Sequence, residues 1–301
     1  MTALTLNKVP FIKMHGLGND FVVLDARSRE ISLSARQKQL IADRRLGVGC
    51  DQLITLEAPR DAQADVFMRI NNPDGSEAGA CGNATRCIAA RVMGEKAADH
   101  VVVETVSGLL DAERVGRGQI SVDMGPVKLD WREIPLSAAH DTLHIPIGLG
   151  PLKDPVGVNV GNPHAVFFVD DVASVDLASL GPALERHPMF PDRANIEAVQ
   201  VMRDGRLRMR VWERGAGITR ACGSGACAAL VAAARRKLTG RSAEVILDGG
   251  SLQVEWLNDN HVRMTGPWSQ SFSGEIDLAS LERANGATDF AGAGYAEVGH
   301  G

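Results

Sequence analysis

The chain carries one pattern of residues twice. Residues 68–82 and residues 209–223 share Met, Arg, Ala, Cys and Gly at five matching places, each pair separated by 141 positions. The Gly-Asn pair at 18–19 recurs at 161–162, an offset of 143. A near-constant offset over such distant matches predicts two copies of one structural unit, because self-similarity at a fixed period marks a repeated fold.

The length of the chain agrees with two units, because 301 residues are about twice the usual size of a domain. We expect an N-terminal half over residues 1–126 and a C-terminal half over residues 127–265. Residues 266–285 are expected to return to the first half. The Gly- and Ala-rich tail, residues 286–301, has little periodicity and is expected to be disordered.

Composition favours a globular protein and excludes several classes of function. Apolar residues make up 45% of the chain and charged residues 23%, and the net charge is −5, with no basic stripe of the kind that binds nucleic acid. No apolar run approaches the length of a membrane span, and Asn7, Lys8, Pro10 and Lys13 interrupt any signal-peptide core. We therefore expect a cytoplasmic protein that acts on a small molecule, with no nucleic acid and no membrane as partner.

Each copy contains the same series of local patterns. Residues 66–70 and 207–212 are apolar and β-branched, which predicts a strand in each copy. A Gly-rich turn and a Cys-Gly pair follow, and then residues 83–96 and 224–238 carry Ala, Val, Ile and Leu at helical spacing. With short strands elsewhere, this predicts an α+β fold of two pseudo-symmetric domains, each a mostly antiparallel sheet wrapped around a central helix.

Two of the five cysteines lie at matching places where a predicted helix begins. At Cys81 and Cys222, free backbone N–H groups and the positive end of the helix dipole favour a thiolate. The odd number of cysteines, without Cys-x-x-Cys spacing or nearby His clusters, argues against a disulfide framework and a metal site. We expect Cys50, Cys87 and Cys227 to be buried structural residues.

Two symmetry-related thiols indicate inversion of a stereocentre. If the two halves face each other, one thiolate removes a proton from a bound carbon and the other thiol returns a proton to the opposite face. The two helix N-termini offer N–H groups to a carboxylate and to the extra charge of the carbanion.

Four motifs carry a resemblance to a known family. They are G-L-G-N-D-F (16–21), D-G-S-E…C-G-N-A-T-R-C (74–87), G-N-P-H (161–164) and E-R-G-A-G-x-T-x-A-C-G-S-G-A-C (213–227). Together they resemble the diaminopimelate epimerases over about residues 13–266. The resemblance implies conversion of LL- to meso-diaminopimelate, on the way to lysine and peptidoglycan, by a homodimer without pyridoxal phosphate, metal or other cofactor.

The resemblance also implies a set of site residues. Cys81 and Cys222 are the acid and base pair that it implies, and His164 and Glu213 tune their pKa values. The residues that it implies for holding the substrate are Asn19, Gln52, Asn72, Gly82, Asn83, Asn162, Asn195, Glu213, Arg214, Gly223 and Ser224. Arg214 is expected to grip the distal carboxylate with two hydrogen bonds. Ile218 departs from the family pattern, which has Glu at this place.

The internal repeat supports several of these assignments. The residues that occupy matching places in the two copies are Asn19 and Asn162, Gln52 and Asn195, and Asn72 and Glu213. Amide side chains both donate and accept hydrogen bonds, which suits a substrate that carries ammonium and carboxylate groups.

Three alternatives stay open at this point. Another cofactor-independent racemase or epimerase of the same fold, acting on proline, hydroxyproline or histidine, shares the two-cysteine logic, although Arg214 and the amides favour a longer substrate. A thiol redox sensor, in which Cys81 and Cys222 form a disulfide, leaves the amides without a purpose. A module that only binds its ligand does not need both thiols.

Overall fold

The computed structural model describes residues 8–286, and every structural statement below concerns this part of the chain. Its nineteen strands are β1 (Lys8–Gly16), β2 (Asn19–Asp25), β3 (Gln52–Glu57), β4 (Val66–Asn71), β5 (Glu77–Ala78), β6 (His100–Thr105), β7 (Gly108–Gly116), β8 (Gln119–Pro126), β9 (Gly148–Leu149), β10 (Leu152–Lys153), β11 (Val156–Asn159), β12 (Pro163–Phe168), β13 (Asn195–Val201), β14 (Leu207–Glu213), β15 (Gly217–Ile218), β16 (Ser242–Leu247), β17 (Gly250–Trp256), β18 (His261–Pro267) and β19 (Ser269–Asp277). The five α-helices of the described residues are α1 (Ala35–Ala42), α2 (Gly82–Lys96), α3 (Leu177–Glu185), α4 (Gly223–Arg235) and α5 (Leu278–Gly286), with a short 3-10 helix at Val172–Ser174.

The second half of the chain repeats the strand order of the first. Strands β2 and β3 pair in parallel, as do β12 and β13 at the corresponding place. Strands β4 and β6 also pair in parallel, with α2 between them in the chain, and β14 and β16 do the same around α4. The other strand pairings are antiparallel. The expected α+β fold, with sheet wrapped around a central helix in each half, is confirmed.

Two strand pairings join the halves. Strand β8 pairs antiparallel with β18, so that Ile120 lies opposite Gly266. Strand β19 runs back beside β1, with Asp277 opposite Lys8. The domain boundaries expected at residues 126 and 265 stay predictions. Gly286 ends α5, and the remainder of the expected disordered tail, residues 287–301, lies outside the described residues.

The two central helices are buried on nearly all sides. Helix α4 is built largely from alanine, and its residues from Gly225 to Ala233 are buried. A helix that is apolar all round belongs in a core, and small side chains let strands approach it closely. The helix ends at Arg235 rather than at the predicted Leu238, because Lys237 adopts a left-handed conformation, φ 58°, just beyond the C-cap Arg236.

A separate apolar cluster supports the second half. Its buried members include Ile134, Phe167, Leu184 and Phe190, and it lies between the β12–β13 sheet and helix α3. This cluster fixes the strand ends from which the candidate site residues of the second half project. Between residues 8 and 286, no helix has the length and apolarity that crossing a bilayer requires.

Candidate active site

Cys81 and Cys222 each occupy the N-cap position of a central helix. Both have an extended backbone, φ −149° and −121°, and the carbonyl of each accepts the first hydrogen bond of its helix, from Thr85 and Ala226 respectively. The N–H of Gly225 also donates to Cys222 Sγ at 3.3 Å. Each thiol therefore lies at the end of a helix where backbone donors are free to meet an anion.

The first turns of the two helices meet around Met264 of β18. A Cβ atom on Gly82 would lie 2.6 Å from Met264 Cε, and a Cβ atom on Gly223 would lie 2.8 Å from Met264 Sδ. Asn83 Nδ2 donates to the carbonyl oxygen of Ala221, 3.0 Å away, directly across this junction. The two cysteine turns are therefore held side by side, one from each half of the chain.

Burial controls the protonation of both thiols. It raises the pKa of Cys81 to about 11 and the pKa of Cys222 well above its ordinary value. The Glu213 carboxylate raises both pKa values further, and Glu197 adds to the effect at Cys222. Backbone N–H groups and the Ser224 hydroxyl, 3.5 Å from Cys222 Sγ, act in the opposite direction. The effect of burial on the two pKa values is thus larger than the opposing effect of the helix N-termini. Formation of a thiolate therefore needs additional positive charge nearby.

Glu213 is a carboxyl group close to both thiols. The Thr219 hydroxyl donates to Glu213 Oε1, and the negative charge of Glu213 raises the pKa of Cys81 and of Cys222. Burial raises the pKa of Glu213 above its ordinary value. A carboxyl group with a raised pKa near a thiol can take part in proton exchange with it.

His164 is fully buried and contacts two other side chains. Its Nδ1 lies 2.6 Å from Glu197 Oε1, and its Nε2 lies 2.8 Å from Asn162 Oδ1. Neither thiol is among the hydrogen-bond partners of His164 in the described part of the chain. His164 acts on the carboxyl groups of Glu197 and Glu213, whose pKa values burial raises and His164 lowers, and both carboxyl groups raise the pKa of Cys222.

The sequence analysis did not identify Glu197 as a site residue. A signal was available, because Glu197 follows Asn195 by two positions in β13 and strand residues two apart face the same side. Its Oε2 atom is buried without a hydrogen-bond partner among the described residues.

Asn19 lies beside Cys81. Its Oδ1 accepts a hydrogen bond from Asn83 Nδ2 at 3.1 Å and from the thiol of Cys81 at 3.8 Å. Its Nδ2 donates to Asp51 Oδ2 at 3.0 Å. Because a carboxylate can only accept, Asp51 fixes the orientation of the Asn19 amide, with its oxygen toward the thiol.

Gln52 and Asn72 form a second amide pair. Gln52 Nε2 donates to Asn72 Oδ1 at 3.2 Å, and Asn72 Nδ2 donates to the Ser76 hydroxyl at 3.1 Å. Gln52 Oε1 is buried without a hydrogen-bond partner among the described residues. Since buried acceptors are nearly always satisfied, this oxygen is available for a donor such as a ligand ammonium group.

Asn195 holds the turn that carries Arg214. Its Nδ2 donates to the Pro163 carbonyl at 2.9 Å, and its Oδ1 accepts the backbone N–H of Arg214 at 2.9 Å. Arg214 itself is exposed, and its guanidinium group donates to the Asp192 carbonyl at 3.0 Å. Arg214 therefore presents an exposed guanidinium group on the turn directly after Glu213, where it can meet an anion.

The departure from the family pattern at Ile218 leaves these contacts in place. Its side chain is 43% exposed, and its backbone pairs with Trp212 across β14 and β15. Thr219, the next residue, makes the hydrogen bond to Glu213. An exposed apolar side chain at residue 218 thus takes no part in orienting the carboxyl group.

The remaining cysteines are buried, as expected. Burial raises the pKa of Cys50 to about 11 and those of Cys87 and Cys227 to about 12. No cysteine between residues 8 and 286 forms a disulfide. The same span contains no group of three or more His, Cys, Asp or Glu side chains arranged to hold a metal ion.

Comparison with known proteins places this geometry in a family. The family model described as diaminopimelate epimerase matches residues 11–129 and 156–270. A diaminopimelate epimerase of Rhodospirillum centenum is 62% identical over 271 residues, which cover 90% of this chain and 93% of the relative. That of Acidiphilium cryptum is 53% identical over 272 residues, covering 90% of this chain and 98% of the relative.

Solved structures of other proteins share the fold at much lower identity. A hydroxyproline epimerase from Agrobacterium vitis with bound trans-4-hydroxy-L-proline has a TM-score of 0.67 at 16% identity, covering 90% of this chain and 92% of that one. A phenazine biosynthesis protein from Bacillus anthracis has a TM-score of 0.62 at 17% identity, covering 89% and 99%. These likenesses show the fold alone, whereas the family model and the two relatives identify the branch. The chain belongs to the diaminopimelate epimerase family.

Proposed function

We propose that this chain converts LL-diaminopimelate to meso-diaminopimelate by moving a proton from one face of an α-carbon to the other. Membership of the family makes the chain an isomerase. The observation that carries the mechanism is the pairing of Cys81 and Cys222, one from each copy, at the N-caps of two helices whose first turns meet at Met264.

The substrate itself supplies the positive charge that formation of a thiolate requires. Its α-ammonium group, carried on the carbon between the two cysteines, adds positive charge near sulfur atoms whose pKa values burial and Glu213 hold high. One thiol then loses its proton, for which the Glu213 carboxyl group is a nearby acceptor. This arrangement forms the reactive thiolate only when substrate is present.

The chemical step balances without oxidation or reduction. The thiolate of one cysteine takes the α-proton, so that a C–H bond breaks and an S–H bond forms. The thiol of the other cysteine gives its proton to the opposite face of the carbanion, so that an S–H bond breaks and a C–H bond forms. The two cysteines exchange protonation states, and the reverse reaction uses them in the opposite roles.

The helix N-termini stabilise the carbanion between these two transfers. Backbone N–H groups beyond Cys81 and Cys222, at Gly82-Asn83 and Gly223-Ser224, lie where the α-carboxylate of the substrate would bind. As the α-carbon loses its proton, negative charge spreads onto that carboxylate, where donors already in place lower the barrier.

The distal end of the substrate distinguishes diaminopimelate from smaller amino acids. We assign Arg214 to the distal carboxylate and the free Gln52 Oε1 to an ammonium group of the substrate. Asn19, Asn72, Asn162 and Asn195 complete the polar wall, partly by holding these groups in place. A substrate as short as proline or hydroxyproline leaves Arg214 without a partner, which favours the longer substrate.

The proposal also covers the cellular location, the pathway, the assembly and the cofactor requirement of the protein. We assign the chain to the cytoplasm and to the synthesis of lysine and peptidoglycan precursors, with a homodimer as the working assembly and no added cofactor. The family relationship supports these assignments.

Substitution of single cysteines tests the proposed function. Cys81→Ala and Cys222→Ala should each lower epimerisation of LL-diaminopimelate by roughly 10²–10⁴-fold, because either change leaves one face of the carbon without its proton carrier. Cys87→Ala and Cys227→Ala are matched controls within the same helices, and they should retain activity because both side chains lie inside the helices in the apolar core and not at the N-caps. Product is measured with purified protein and no added cofactor.

Two results would reject the proposal. Near-normal turnover by either Cys81→Ala or Cys222→Ala would exclude the two-base mechanism. Turnover of proline together with no turnover of diaminopimelate by the wild-type protein would favour the alternative racemase.

A further inference from the structure

Arg86 of helix α2 is a buried cation without a carboxylate partner. Its side chain is 0% exposed, although arginine is rarely buried unless it is paired. Its three hydrogen bonds go to Asn83 Oδ1 at 2.8 Å, the Pro267 carbonyl at 3.3 Å and Met264 Sδ at 3.3 Å. No carboxylate between residues 8 and 286 forms an ion pair with it.

This residue also breaks the internal repeat. At the offset that relates the two cysteine turns, Cys227 takes the place of Arg86 and Ser224 takes the place of Asn83. The Arg-Asn pair therefore exists in one copy only. Because the guanidinium group reaches Met264 and Pro267, at the end of the second copy, one such group contacts both halves of the fold.

A continuous chain of hydrogen bonds leads from Arg86 to the Cys81 thiol. Arg86 donates to Asn83 Oδ1, so the Asn83 amide nitrogen must point the other way, because arginine has no acceptor atom. That nitrogen donates to Asn19 Oδ1, the atom that also accepts from the thiol of Cys81, and to the carbonyl of Ala221. The guanidinium group thus sets the orientation of the Asn83 amide, and Asn83 together with Asp51 sets that of Asn19.

We propose that Arg86 is a positioning residue for the proton transfer at Cys81: it fixes the Asn83 amide, through which it supports Asn19, and it adds a buried positive charge near that thiol. Burying a cation without a carboxylate partner is costly. This cost indicates a role of Arg86 other than stabilising the fold. Three buried thiols, those of Cys87, Cys81 and Cys227, lie within electrostatic range of Arg86, and Cys81 is the one that the proposed reaction ionises.

The charges around Cys81 make the inference measurable. Arg86 on α2 favours its thiolate, and Glu213 on β14 opposes it. At Cys222 the charged groups are instead Glu213 and Glu197. The rate of alkylation of Cys81 relative to that of Cys222 in the same molecule therefore reports the contribution of Arg86.

The experiment compares the variants Arg86→Met and Arg86→Lys with Arg235→Met in the full-length protein. Arg235 is a matched control, since it also donates only to uncharged oxygens, those of Thr142 and Gly157, but at the far end of α4. Iodoacetamide modification of each cysteine is followed by peptide mass spectrometry at pH values from 6 to 10, and kcat and KM are measured separately. Thermal unfolding shows which variants are folded.

We expect Arg86→Met to slow alkylation of Cys81 at pH 8 by at least about tenfold relative to Cys222, with its pH profile displaced to higher pH. Arg86→Lys keeps the charge but cannot reach three acceptors, so it should lose kcat by about tenfold while the alkylation ratio changes less. Arg235→Met should leave both measurements unchanged.

Each other outcome overturns the proposal. An unchanged Cys81 to Cys222 ratio in folded Arg86→Met would remove the electrostatic role, and wild-type kcat in Arg86→Lys would remove the positioning role. An equal effect of Arg235→Met would show general loosening of the core. If Arg86→Met does not fold, the kcat of Arg86→Lys decides.

The inference rests on the proposed function, but the two can fail separately. Alkylation of the cysteines needs no substrate. Failure of the wild-type protein to epimerise diaminopimelate would therefore reject the proposed function alone.

Discussion

The Asn83 side chain donates to the carbonyl of Ala221 over 3.0 Å, and so ties the residue two places after Cys81 to the residue directly before Cys222. Asn83 belongs to helix α2 of the first half, and Ala221 lies in the loop before α4 of the second half. This buried amide therefore helps to hold the two cysteine turns in place relative to each other.

Asn83→Asp tests this connection. An ionised carboxylate cannot donate to Ala221 or to Asn19, although it can still accept from Arg86. We expect kcat to fall roughly 10- to 100-fold and the free energy of unfolding to fall by about 1 to 3 kcal/mol, the cost of leaving buried acceptors without donors. Steady-state kinetics and urea unfolding measure the two effects.

Asn260→Asp is the control for this change. Asn260 Nδ2 also donates to a backbone carbonyl far along the chain, that of Val127 at 2.8 Å, but at a distance from the cysteines. It should lose stability and keep its kcat. Equal losses of kcat in the two variants would contradict a specific role of Asn83 at the junction.

The junction at Met264 can be tested by adding a methyl group. A Cβ atom on Gly82 would lie 2.6 Å from Met264 Cε and 2.9 Å from Met124 Sδ, so Gly82→Ala should destabilise the protein by about 1 to 3 kcal/mol and displace the Cys81 turn. Gly94→Ala lies in the same helix with open space around it, and should stabilise the protein by roughly 0.5–1 kcal/mol. Thermal unfolding and kcat are measured for both. A Gly82→Ala variant with wild-type stability and kcat would show that the helix starts are not packed in this way.

The buried carboxyl groups predict a pH dependence of stability. Burial raises the pKa of Glu197 and of Glu213, so the folded protein keeps protons that the unfolded chain releases above the ordinary pKa of glutamate. Stability should therefore fall as the pH rises from about 4.3 through the raised values. Glu197→Gln, which removes one of these groups, should make the fall shallower in urea unfolding experiments between pH 5 and pH 8.

An exposed carboxylate provides the comparison for Glu197. Glu255 pairs with Arg263 at the surface, and Glu255→Gln should leave the slope of stability against pH unchanged. A Glu197→Gln variant with the wild-type slope would mean that Glu197 titrates at its ordinary value.

Arg214→Lys tests recognition of the distal carboxylate. Lysine retains the charge but not the two parallel donors, so KM for diaminopimelate should rise roughly tenfold with a smaller change in kcat. Alkylation of Cys81 and Cys222 should proceed at the wild-type rate, because the guanidinium group of Arg214 is exposed, donates to the Asp192 carbonyl and makes no hydrogen bond to either thiol between residues 8 and 286. An unaltered KM would remove Arg214 from the substrate site.

The sequence predicted the parts of the site that local patterns encode. The strands β4 and β14, the Gly-rich turns and the helices after Cys81 and Cys222 follow from hydrophobic periodicity and from the constant offset between the two copies. The repeat also predicted that amide side chains from the two halves occupy equivalent positions, because matching residues have the same location in two copies of one topology.

Contacts that depend on packing between distant elements could not be predicted. Helix α3 contains Gly181 and Pro182, which normally weaken a helix, and Gly181 is needed because a Cβ atom there would lie 2.5 Å from Trp212. Burial of Arg86 and Glu197 is equally invisible in sequence, because charged residues are usually exposed. The raised pKa values of Cys81 and Cys222 follow mainly from the burial of the thiols themselves, whereas the sequence indicated only the helix N-termini.

Proton exchange with solvent tests the two-base mechanism most directly. LL-diaminopimelate is incubated with the purified protein in deuterated water, and substrate and product are separated and analysed for α-deuterium early in the reaction. Because the thiol that protonates the carbanion carries a solvent-derived deuteron, the meso product should contain deuterium at the inverted carbon while the remaining LL substrate contains almost none. A product without deuterium, or equal early labelling of substrate and product, would contradict transfer by two separate thiols.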